Sequence, residues 1–186
     1  MSRALPPKPV PLLRPARANS NKNEPLTGMP TTCAITPGVP APDFTLPRDG
    51  GTDITLSALR PGNVVLYFYP KDDTPGCTTE ALDFTARLAA FHAADTQVIG
   101  VSKDSVKAHD KFCKKHGLRI ILASDEAGHV CEDYGVWAEK SMYGKTWMGV
   151  ERTTVLIDGA GRVAQVWPKV SVKGHADEVL AAAKAL

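Results

Sequence analysis

The sequence predicts an α/β fold in which a central mixed β-sheet is flanked by helices and preceded by an N-terminal hairpin. Three observations predict it. From Asp43 onward, strand-like and helix-like segments alternate, the signature of a largely parallel sheet covered by helices. Val64–Tyr69 (VVLYFY) is a continuous apolar, β-branched and aromatic run, the pattern of a strand buried on both faces. Near the C-terminus, two strand-like runs flank Asp158-Gly159-Ala160-Gly161, a turn that adds antiparallel strands at one side.

In chain order, Asp43–Leu46 and Asp53–Leu56 flank the turn Asp49-Gly50-Gly51 and read as the first hairpin. The buried strand follows, then a helix from about Cys77 to His92 whose Leu82, Leu88 and Phe91, with Ala81, Phe84 and Ala89, are expected to face a core. Gln97–Val101 is the next strand and Ser105–His116 the next helix, closed by Gly117. Ile120–Ala123 is a third strand, with a short helix around Ala127–Tyr134. Thr153–Ile157 and Arg162–Trp167 form the late hairpin, and His175–Leu186, rich in Ala and Leu, closes the chain as a helix. Ser141–Val150, with Tyr143, Trp147 and Met148, reads as a loop that walls a pocket or docks a partner, or as an ordinary surface loop with aromatic anchors.

The chain has 186 residues, enough for one domain of about 150 residues plus an appendage. Ten of its fifteen prolines fall within residues 1–42, where no apolar period survives. Residues 1–36 are therefore expected to be a disordered Pro/Arg-rich arm, and residues 37–186 the folded domain. The first 23 residues lack acids, as a transit peptide would, but Pro6, Pro7, Pro9, Pro11 and Pro15 break the helix such a peptide needs. The reading is a solvated tail on a cytoplasmic protein. Of the net charge of +2, residues 1–42 carry +4, so the remainder is slightly acidic and offers no nucleic-acid-binding face. No apolar run approaches the roughly 18 residues of a membrane span. The four cysteines, Cys33, Cys77, Cys113 and Cys131, form no CxxC pair and read as reduced thiols.

Tyr69-Pro70-Lys71-Asp72-Asp73-Thr74-Pro75-Gly76-Cys77 lies at the carboxyl end of the most buried strand, where open α/β sheets place their sites. Pro75 and Gly76 tighten the chain, so Cys77 falls in the first turn of the following helix. Backbone N–H groups there lack intrahelical partners and the macrodipole favours an anion, which suits a thiolate nucleophile. A lone cysteine at such a place is more often buried and inert; Thr74, able to offer a hydroxyl, and Pro70, able to shield one side, argue against that here.

Pro70-xxx-Thr74-xx-Cys77 resembles the active-site signature of the peroxiredoxins, and YFYPKDDTPGCTTEA is similar to the bacterioferritin-comigratory, or peroxiredoxin Q, branch. GVPAPDFTLP at 38–47, Ser124-Asp125-Glu126, GVWAEKSMYGKTWMGVERTTVLID at 135–158 and KGHADEVL at 173–180 extend the resemblance over residues 37–186. It implies a thioredoxin-like fold and a thiol-dependent peroxidase that reduces hydrogen peroxide and organic hydroperoxides without metal or organic cofactor. Carried over, Cys77 matches the peroxidatic cysteine, Thr74 the hydroxyl that bonds the peroxide, Pro70 the residue shielding the sulfur, and Arg152 the active-site arginine. On its own chemistry, a guanidinium beside the sulfur stabilises a thiolate and the charge developing on the leaving oxygen. The first product is a sulfenic acid, the reversible rung of cysteine oxidation.

Many relatives carry a resolving cysteine five residues after the peroxidatic one, but that position is Leu82. A second pattern of the branch places it on the next helix, and Cys113, 36 residues after Cys77, fits that arrangement. Val106, His109 and Cys113 share one face of that helix, with Phe112 toward its margin; the family spacing favours the resolving role for Cys113 over that of a packed core thiol. Disulfide formation at this spacing would require the first turn around Cys77 to unravel locally. Cys131 reads as structural and Cys33 carries no assigned role. His109, Cys113 and His116, all on one helix, make a poor metal site. The resemblance implies thioredoxin as reductant, with glutaredoxin or glutathione as alternatives, and a monomer. One-cysteine operation with an external resolving thiol, and a redox sensor or relay, are the competing functions.

Overall fold

The computed structural model describes residues 35–186. The arm expected over residues 1–36, with Cys33, lies through Ala34 outside the described residues. Antiparallel β1 (Thr45–Pro47) and β2 (Asp53–Thr55) make the first hairpin, with Thr45 opposite Thr55 and Leu46 opposite Ile54. A 3-10 turn, Leu56–Leu59, leads into β3 (Asn63–Phe68). Then come α1 (Pro75–Ala93), β4 (Thr96–Ser102), α2 (Val106–His116), β5 (Ile121–Ser124) and the short α3 (Val130–Asp133). Strands β6 (Trp137–Met142) and β7 (Lys145–Val150), β8 (Thr153–Ile157), β9 (Val163–Trp167) and α4 (His175–Ala183) complete the domain.

The central sheet runs β5-β4-β3-β8-β9. β3 pairs parallel with β4 and β4 with β5, whereas β8 is antiparallel to both β3 and β9, so the sheet is mixed, as predicted. β3 occupies the middle, and its alternation divides the core into two layers. Val64, Leu66 and Phe68 face one layer with Phe44, Leu46 and Ile54 of the hairpin and with Cys131 and Tyr134. Val65, Tyr67 and Tyr69 face the other, with Ala81, Phe84 and Phe91 of α1, Phe112 of α2 and Val179 of α4. Gly100 of β4 lies opposite Tyr67, where a Cβ would come within 2.5 Å of the ring, so the tyrosine seats only because this residue has no side chain.

Several sequence expectations are corrected. Ser141–Val150 is not a loop: it spans the turn and outer strand of a hairpin that pairs Met142 with Lys145 and Trp137 with Val150. Tyr143 and Gly144 both have positive φ (51° and 75°), which matches the twist of a two-residue hairpin turn. A tyrosine in that place hides the signal that Asn-Gly would have given. The hairpin leaves Tyr143, Trp147 and Met148 exposed. On α1, Leu82 and Ala89 face solvent rather than the core, because the buried stripe runs through Cys77, Glu80, Ala81, Phe84 and Phe91. On α2, Phe112 is buried and Cys113 only half so, which reverses their expected places across the stripe.

The free edge of β5 meets the tip of the first hairpin. Asp49 N–H donates to the Leu122 carbonyl at 2.9 Å and Leu122 N–H to Asp49 Oδ1 at 3.0 Å, beside an isolated bridge between Arg48 and Ala123.

Candidate active site

β3 ends at Phe68, and the chain passes through Tyr69–Thr74 to α1. Asp73 adopts φ +58°, turning the backbone sharply into the helix. Thr74 is the N-cap in extended conformation and Pro75 the first helical residue, a place where its missing N–H costs nothing. Cys77 is thus third in the helix, within the turn whose N–H groups lack helical partners. Its thiol is 2% exposed. The helix starts two residues earlier than the sequence suggested, and Cys77 keeps its predicted position at the N-terminal turn.

Arg152, at the entry to β8 beside the end of β3, donates from Nη2 to Cys77 Sγ at 3.2 Å. Its Nη1 is ion-paired with Glu80 Oε2. Gly76 makes room for this approach, since a Cβ there would lie 3.3 Å from Arg152 Nη2. Burial opposes the charge on Arg152, but Glu80 and the Cys77 sulfur outweigh it and hold the guanidinium above its usual value. Thr74 and Pro70 stand on the same loop. The Thr74 hydroxyl donates to the Lys71 carbonyl at 3.0 Å, not to the sulfur, and Pro70 is exposed. Cys113 is a free thiol packed at the margin of the core layer that holds Cys77; Cys131 is buried in the layer on the other side of the sheet. His109 and His116 are taken by two different carboxylates, Asp72 at 2.8 Å and Asp73 at 2.7 Å.

Sequence reasoning missed Glu80. It lies one turn beyond Cys77, on the same helix face, 1% exposed, and its Oε1 has no partner among the described residues. The available signal was a carboxylate inside the apolar stripe of α1. Burial drives its titration up to about 7, against the pull of Arg152. The folded chain therefore holds this proton more tightly than the unfolded chain does. The contribution of Glu80 to stability is therefore expected to fall as pH rises from about 4.5 to about 7 and to be level above, an effect on the order of 3 kcal/mol. Glu80→Gln is expected to lose that fall in thermal denaturation measured across the window. A variant whose stability declines with pH as steeply as the parent would refute the assignment.

A thiol at the N-terminal turn of a helix, following the central strand of a thioredoxin-like sheet and contacted by an arginine, defines a thiol-based redox enzyme. The comparisons with known proteins narrow this. Residues 37–166 match the AhpC/TSA family. Peroxiredoxin Bcp of Xanthomonas campestris pv. campestris is 52% identical over 149 residues, 79% of this chain and 93% of that protein. Peroxiredoxin Bcp of Bacillus subtilis is 47% identical over 143 residues, 77% and 91% of the two chains. A solved structure of Xanthomonas campestris peroxiredoxin Q superposes with a TM-score of 0.73 at 52% identity, covering 76% of this chain and 90% of that one. A second, of the Xanthomonas campestris bacterioferritin comigratory protein in a trapped intermediate/ligand complex bearing on its alkyl peroxide reduction activity, gives 0.76 at 48% identity, with 81% and 98% covered. The chain belongs to the AhpC/TSA family, in its peroxiredoxin Bcp/peroxiredoxin Q branch, and is a thiol-dependent peroxidase. No helix among the described residues is long and apolar enough to cross a membrane.

Proposed function

We propose that Cys77 is the peroxidatic thiol, that Cys113 resolves it, and that hydrogen peroxide and alkyl hydroperoxides are the substrates. The contact between Arg152 Nη2 and Cys77 Sγ carries the reading. The thiolate attacks the outer peroxide oxygen, the S–O bond forms as the O–O bond breaks, and water or an alcohol leaves once its oxygen gains a proton. The guanidinium faces the charge on sulfur before the reaction and on the departing oxygen during it. Thr74 and Pro70 frame the approach to the sulfur. Cys113 then displaces hydroxide from the Cys77 sulfenic acid. Both cysteines border one core layer of one chain, which supports an intramolecular disulfide and a monomeric enzyme. An external dithiol of the thioredoxin type, with glutaredoxin or glutathione as alternatives, reduces that disulfide in the cytoplasm; four cysteines without a CxxC pair support that setting.

Peptide mapping after one equivalent of peroxide tests the pairing. The parent is expected to lose two thiols and yield a Cys77–Cys113 crosslink, whereas Cys113→Ser is expected to stop at Cys77 sulfenic acid and to reach sulfinic acid only when a second equivalent of peroxide is added. A Cys77–Cys131 crosslink, or a sulfenic acid that persists in the parent, overturns the role of Cys113.

A further inference from the structure

His109 is fully buried on α2, one turn before Cys113. Its Nδ1 is 2.8 Å from Asp72 Oδ2. The other oxygen of Asp72 accepts from the Tyr69 hydroxyl at 2.6 Å, so both carboxylate oxygens are engaged, and Asp72 N–H donates to Asp104 Oδ2 at 2.9 Å, which holds the main chain. His109 Nε2 has no partner among the described residues. A buried imidazole kept only for packing ordinarily has both nitrogens satisfied. Here a carboxylate fixes one nitrogen and leaves the other open, the arrangement that presents an imidazole as a base.

Residues four apart on a helix are neighbours, with Cβ atoms about 5–6 Å apart, and helical side chains lean toward the N-terminus. Cys113 thus neighbours His109 along α2, one turn on, and in this closed arrangement its sulfur makes no hydrogen bond to Nε2. Burial, reinforced by the carboxylates of Asp49, Asp72 and Asp110, raises the Cys113 thiol to about 12. Such a thiol is protonated near neutral pH, yet only the thiolate attacks. Resolution by Cys113 needs a proton acceptor, and the loop bearing Asp72 is the one that leads into Cys77.

We propose that His109, held by Asp72, is the base that takes the Cys113 proton as Cys113 attacks the Cys77 sulfenic acid. The Cys113–Cys77 S–S bond forms as the Cys77 S–O bond breaks, and the proton held by His109 passes to the departing hydroxide, giving water. Cys113 sulfur is oxidised and Cys77 sulfur reduced, with no further reactant. The proposal rests on the resolving role of Cys113.

Rapid mixing with hydrogen peroxide separates oxidation of Cys77, which depends on peroxide concentration, from disulfide formation, which does not. His109→Asn keeps a donor toward Asp72 while removing the open ring nitrogen. It is expected to leave the oxidation phase unchanged, slow disulfide formation about 10²-fold, and raise the sulfinic fraction at a given peroxide dose. A merely structural histidine gives the opposite sign, because loosening α2 eases the local opening that resolution needs. Disulfide formation at the parent rate or faster overturns the proposal. Should His109→Asn fail to fold, Asp72→Asn decides in the same assay: slower disulfide formation upholds the base, and a parental or faster rate removes it. A parent that forms no Cys77–Cys113 crosslink refutes the resolving role of Cys113 and this proposal together, whereas a crosslinking parent with an equally fast His109→Asn refutes the base alone.

Discussion

Cys77→Ser is expected to lose peroxide consumption by at least about 10³-fold, because a serine hydroxyl is almost wholly protonated near neutrality and is a weak nucleophile toward an O–O bond. The substitution is nearly isosteric at a 2% exposed position, and Glu80 still anchors Arg152, so the fold is expected to survive. Consumption is read under steady state with a dithiol reductant, with thermal denaturation as the control for folding. The remaining described thiols do not substitute. Burial raises Cys131 well above its usual range, with Asp125 adding to the effect, and Cys113 is likewise held protonated. Parent-like turnover by Cys77→Ser would move the chemistry to another residue altogether.

Arg152→Met is expected to lower kcat/KM for hydrogen peroxide by about 10²–10³-fold, the range for removing one preorganised donor from a developing oxyanion. Methionine keeps much of the apolar stem and removes the charge. Arg152→Lys is expected to recover only part of the rate, since one ammonium cannot reproduce a planar fork that meets Cys77 with one nitrogen and Glu80 with the other. In Arg152→Met, Glu80 loses its counterion inside the protein and is expected to take up a proton, so the variant gains relative stability toward acid. The measurement is the second-order rate of Cys77 oxidation in single-turnover mixing. A rate within threefold of the parent would mean that the helix N-terminus alone sustains the thiolate.

The site was legible where the chain itself brings the groups together. Pro70, Thr74 and Cys77 lie within eight consecutive residues, and the turn chemistry of Pro75 and Gly76 fixes the start of α1. The mixed sheet was equally readable, because β3 is too apolar to be anything but central and β8 and β9 flank an evident turn. Arg152 came from family resemblance, since nothing local distinguishes it from an exposed arginine before a strand. The positions of Glu80 and His109 on the inward stripes of their helices were legible, but their partners were not, for a physical reason. Their importance comes from complete burial with one atom left unpaired, and which atoms meet a partner is set by neighbouring elements rather than by helical period. The β6–β7 hairpin escaped because most of its residues are exposed and only Val150 is buried, which removes the apolar alternation that would reveal a strand.

The contact between Asp49 and β5 closes a border as well as a core. An unpaired outer strand is a template on which other chains add, and proteins blunt such borders to avoid aggregation. Here the hairpin tip occupies the carbonyl and amide of Leu122, so the sheet terminates within its own molecule and copies crowded together cannot extend it there.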